Sequence, residues 1–64
     1  MVNGEKIGKL LREKGMTQQN MAREIGISEA MMCYIIQGLR EPSVTVMARI
    51  ATKLGCTVDE LISK

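Results

Sequence analysis

Few side chains in this 64-residue sequence could make or break covalent bonds. Histidine is absent, so no imidazole is on hand as a base near neutral pH. Two cysteines, Cys33 and Cys56, supply too few soft ligands for a four-coordinate zinc site. They do not read as a disulfide framework either. Met1-Val2-Asn3-Gly4-Glu5-Lys6 puts polar residues where the apolar stretch of a secretory leader would lie. No glycine-rich phosphate loop occurs, and so short a chain has little wall with which to enclose a substrate. These features disfavour an enzyme and give no indication of a metal, a cofactor or a small-molecule ligand. Surface contact chemistry remains. Nine Lys plus Arg against seven Asp plus Glu leave a net charge of +2, which permits nucleic-acid binding without demanding it.

The elements that would position such contacts are helical. The 45% apolar content is that of a folded globular chain rather than a disordered one. The longest apolar run, Ala30 to Ile36, falls far short of the roughly 18 residues of a membrane span. Ile7, Leu10 and Leu11 set a first helix, capped by Asn3 and ended by Gly15. Thr17 caps a second, with Met21, Ala22 and Ile25 as its inner stripe, and Gly26 stops it. Ser28 caps a third, with Met32, Ile35 and Ile36 inward, and Gly38 stops it. Pro42 keeps Leu39-Arg40-Glu41-Pro42 a loop. Ser43 caps a fourth helix carrying Met47, Ile50, Ala51 and Leu54, ended by Gly55. Thr57-Val58-Asp59-Glu60 is a capping box that predicts a short fifth helix bearing Leu61 and Ile62.

Residues 18–37 therefore read helix, three-residue turn, helix. Ala22 is small where two helices must cross closely, and Gly26 supplies the positive φ of a short turn. Ile27 can plug the core from within that turn. This is a helix-turn-helix pattern.

The run Met16-Thr17-Gln18-Gln19-Asn20-Met21-Ala22, then Gly26-Ile27-Ser28, then Gly38-Leu39-Arg40-Glu41-Pro42-Ser43, resembles the lambda-repressor-like Cro/repressor (XRE-type) helix-turn-helix family. Ile50-Ala51 and Leu54-Gly55-Cys56-Thr57-Val58-Asp59-Glu60-Leu61 resemble the family's fourth and fifth helices. The resemblance covers residues 5–62 and implies an all-α, compact five-helix domain over residues 1–64. It implies a cytoplasmic transcriptional regulator that binds double-stranded DNA, with the third helix in the major groove and the second across the backbone. By position, Gln18 resembles a phosphate-contacting glutamine. Glu29, Ala30, Cys33 and Tyr34 fall at groove-facing positions. Ser28 and Gln37 flank them as backbone contacts, and Arg40 is placed to reach a phosphate, with Lys14 and Arg23 as lesser candidates. A homodimer on a two-fold operator is expected, with Val58, Leu61 and Ile62 of the fifth helix as its face.

Two departures from the family stand out. An arginine late in the first helix often pairs with a glutamate late in the third, but Leu11 and Ile36 occupy those positions here. Replacing both charges together leaves none unpaired, an exchange that is often neutral or stabilising. The reading surface opens with Glu29, Ala30 and Met31, where relatives often have glutamine or asparagine. Glutamate can accept from cytosine N4, and Ala30 or Met31 can touch a thymine methyl. The apolar third helix also fits an alternative, a protein-interaction module such as an antitoxin-like partner. Both a complete regulator and the N-terminal part of a longer one are compatible with the sequence.

Overall fold

Each helix begins and ends by a local device. Asn3, Thr17, Ser28 and Ser43 accept from the backbone N–H of Lys6, Asn20, Met31 and Val46 at 3.0–3.2 Å. The residue after each terminal glycine closes the far end by donating five residues back: Met16 to Leu11, Ile27 to Ala22, Leu39 to Tyr34 and Cys56 to Ala51. The computed structural model, which describes residues 1–62, accordingly has α1 (Gly4–Glu13), α2 (Gln18–Ile25), α3 (Glu29–Gln37) and α4 (Val44–Leu54). The boundaries follow the caps and glycines of the sequence.

These short helices are held by a shared interior rather than by their own propensity. Ile7 and Leu11 from α1, Met21 and Ile25 from α2, Met32 and Ile35 from α3, and Ile50 and Leu54 from α4 meet in one buried cluster. With no Phe or Trp available, unbranched methionines fill the irregular gaps between helices. α3 packs against both α2 and α1, and α4 against α2. Arg49 of α4 donates to the Ile25 carbonyl at 3.1 Å, satisfying one acceptor at the end of α2.

The expected fifth helix is a correction. The capping box forms: Thr57 N–H donates to Glu60 Oε2 at 2.8 Å, and Glu60 N–H to Thr57 Oγ1 at 3.3 Å. It opens only a single 3-10 turn, Asp59–Leu61. The backbone of Ile62 is then extended and pairs antiparallel with Val2, while Asn3 N–H donates to the Leu61 carbonyl at 2.7 Å. A nucleus of three residues repays little of its ordering cost. Pairing with residues 2–3 satisfies the same backbone groups and keeps Leu61 in the core. Among the described residues the structure is thus all-α with four helices and one 3-10 turn, and Ser63 and Lys64 lie outside them.

α1 meets α3 backbone to backbone. A Cβ on Gly4 would fall within contact distance of the Ile36 carbonyl oxygen and 2.5 Å from that of Ile35. One turn later, a Cβ on Gly8 would lie 3.4 Å from Ile36 Cγ2. Glycines at i and i+4 share one helix face, so α1 rests directly on the C-terminal end of α3.

Candidate nucleic-acid interface

The turn between α2 and α3 fixes how α3 stands on the body of the protein. Gly26 has φ +83°, a left-handed conformation that few other residues adopt without strain. Ile27 is half-buried against the core, as its position within the turn suggested. Met32 and Ile35 anchor the inner face of α3, and Met31 and Ile36 pack at its edges. At about 100° per residue, Glu29, Ala30, Cys33, Tyr34 and Gln37 then fall within one outward arc. Glu29, Ala30, Tyr34 and Gln37 are exposed, and Cys33 is half-buried.

That strip combines one anion, a phenol, an amide and small apolar surface. Glu29 is its only charged residue, and α3 carries no basic side chain. Gln37 Nε2 donates weakly to Cys33 Sγ at 3.3 Å, which orients the amide along the helix. The Ser28 oxygen caps α3 through Met31 N–H, and its hydroxyl hydrogen remains a donor. Gln18 is exposed at the first turn of α2, where uncommitted N–H groups and the helix dipole favour an anion. Arg40 is exposed in the loop between α3 and α4, and Lys14 and Arg23 are exposed as well.

The surface expected for dimer contact is altered. Leu61 is 0% exposed and belongs to the monomer core, so it has no face to offer a partner. The short 3-10 turn swings it inward. Val58 is half-buried and Ile62 is 37% exposed. Beside them lie Met1, Pro42 and Val44 around an open apolar depression, with Val44 85% exposed.

Cys56 is half-buried against the core, and burial, aided by Glu60, pushes its thiol pKa up. Its contact with the core makes it a packing side chain, as its position in the sequence suggested. No group of three or more His, Cys, Asp or Glu gathers among the described residues. No helix among them is long and apolar enough to cross a membrane.

Two features of the structure have no reading in the sequence analysis above. Gly4 and Gly8 stand at i and i+4, a spacing visible in the sequence, and seat α1 on α3. Glu41 accepts from Val2 N–H across 39 residues, and no local pattern announces it.

Residues 6–63 match the family profile of the Cro/C1-type HTH DNA-binding domain. The chain is 32% identical over 60 residues to the HTH-type transcriptional regulator y4dJ of Sinorhizobium fredii, covering 94% of this chain and 78% of that protein. The fold is shared with the P22 c2 repressor, solved in complex with a synthetic operator. The TM-score is 0.91 at 19% identity, over 98% of this chain and 96% of that one. It is shared also with the clp gene regulator ClgR of Corynebacterium glutamicum, with TM-score 0.83 and 23% identity. There 89% of this chain is covered but only 61% of the other, so this chain spans less than two thirds of ClgR. The caps, the glycine turn, the buried stripe of α3 and the profile match over nearly the whole length agree, and this chain belongs to the Cro/C1-type helix-turn-helix family of DNA-binding transcriptional regulators.

Proposed function

We propose that residues 1–64 act as one sequence-specific DNA-binding domain that lays α3 in the major groove of double-stranded DNA. The outward arc of α3 carries this reading, because its side chains are excluded from the core yet fixed in orientation by Met32 and Ile35 beneath them. Glu29, Ala30, Cys33 and Tyr34 face base edges, with Glu29 accepting from cytosine N4 and Ala30 meeting thymine methyls. Gln18, Ser28, Gln37 and Arg40 contact the backbone and set the register, without reading sequence. The operator-bound state of the structurally similar P22 c2 repressor supports this docking.

A second copy completes the proposed assembly, so that two α3 helices enter successive major grooves about 34 Å apart. Its contact uses Val58 and Ile62, joined by Val44 and Met1, whose apolar surface is open in the monomer. Selection of bound duplexes from a random pool tests both statements. The expected outcome is a two-fold motif with half-sites one helical turn apart. No enriched motif would remove the groove reading, and a single half-site would remove the dimer.

Two observations favour the protein-interaction alternative: α3 has no cation, and Tyr34 is 43% exposed. Salt dependence separates the two readings. DNA binding through phosphates weakens steeply between about 50 and 200 mM salt, whereas an apolar protein contact does not.

A further inference from the structure

The loop between α3 and α4 carries Arg40, and among the described residues one side chain hydrogen-bonds its centre to a remote segment. Val2 N–H donates to Oε1 of Glu41 at 2.9 Å and to Oε2 at 3.1 Å, so the carboxylate straddles one amide. Among the described residues no other hydrogen bond engages residues 40–42, and Pro42 has no N–H to offer. The flanks are fixed separately, by Leu39 N–H to the Tyr34 carbonyl at 2.8 Å and by the Ser43 cap of α4. Val2 is itself anchored: it is buried, it bridges Ile62, and the neighbouring Asn3 N–H bonds to the Leu61 carbonyl. Glu41 therefore references the loop to the core.

An acid next to a phosphate-binding arginine is otherwise a handicap, since it repels the anion its neighbour must hold. We propose that Glu41 is a positioning residue for DNA binding, whose carboxylate clasps the Val2 amide and so presents Arg40 to a phosphate. The inference rests on the reading of Arg40 as a phosphate contact. A tethered loop loses less conformational freedom when the complex forms, so the contact retains more of its strength. The clasp also fixes the sign of an effect. Charge alone makes removal of Glu41 strengthen DNA binding, whereas the clasp makes removal weaken it.

The test measures the affinity of wild type, Arg40→Ala, Glu41→Ala, Glu41→Gln and the Arg40→Ala/Glu41→Ala double variant for a mixed-sequence duplex. Salt is varied from about 50 to 200 mM, well below the melting temperature of each protein. Glu41→Ala should weaken binding roughly three- to tenfold and lower the salt slope by about 0.9, matching the loss of one phosphate contact. The double variant should be no weaker than Arg40→Ala, because both changes remove the same contact. Glu41→Gln keeps a carbonyl acceptor for Val2 and should retain the wild-type slope. Unchanged or tighter binding by Glu41→Ala, where Arg40→Ala weakens it, overturns the clasp. Additive losses, or a Glu41→Gln variant as weak as Glu41→Ala, also overturn it. If Arg40→Ala changes neither affinity nor slope, the phosphate role of Arg40 fails, and the clasp with it.

Discussion

The inward face of α3 presents Met32 and Ile35, neither with any solvent exposure, and its C-terminal carbonyls press against Gly4 of α1. The outward face presents Glu29, Ala30, Tyr34 and Gln37, all exposed, with only the weak Gln37–Cys33 bond among them. Every position on the first face is limited by a neighbour's atoms. Positions on the second are limited only by helix propensity and by whatever they touch outside the protein. Substitutions should therefore separate cleanly, with stability governed by one face and DNA recognition by the other.

The largest effect should come from Gly4→Val. Its side chain has backbone carbonyls, not flexible side chains, in its way, so α1 must leave α3. A domain this size is stable by roughly 3–10 kcal/mol, and losing that packing should consume most of it. A cooperative melt near that of wild type would show that α1 can re-seat and that the inward face is less constrained than drawn.

Ile35→Ala should follow, at about 2–5 kcal/mol by chemical denaturation, since it removes a fully buried side chain and leaves a cavity. A cost under 1 kcal/mol would mean the core collapses around the gap.

The edge between the faces can be probed by the apolar pair that stands for an ion pair in relatives. Leu11 is buried and Ile36 half-buried. Leu11→Arg should destabilise strongly by burying an unpaired charge, and Ile36→Glu less so because water reaches it. Together they should recover part of the sum without surpassing wild type. Simple additivity in the four denaturation curves would show that the two side chains do not meet.

The smallest stability effect should belong to the outward face. Glu29→Gln and Tyr34→Ala should each stay within about 0.5 kcal/mol of wild type in stability. Glu29→Gln should still change the preferred base at one position of each half-site, on the scale of about 1–3 kcal/mol. An unchanged selected motif would show that Glu29 does not read sequence and would blur the division between the faces.

The outward strip was legible in part. Once Met32 and Ile35 are assigned inward by spacing, helix geometry dictates which residues point away. Which of them meet a base is not written in the chain, because solvent and a groove make the same demand on an exposed side chain.

Residues 57–62 show where local reading stops. Thr57 and Glu60 met the requirements of a capping box and made its bonds, yet no helix of useful length followed. The outcome depended on Val2 and Asn3, almost the whole chain away, which captured the backbone of Leu61 and Ile62 in extended form. Leu61 was drawn inward by the same pairing, which removed it from the surface expected to meet a second copy.

The sequence by itself determined four helices, their ends and their buried stripes. Caps, left-handed glycines and helical periodicity act between residues three to five apart, and those neighbours are known before any folding. The tertiary structure alone decided the seat of Gly4 on α3, the pairing of Val2 with Ile62 and the hold of Glu41 on Val2. Each of these needs two segments remote in sequence to be brought together, and only the shared apolar core does that.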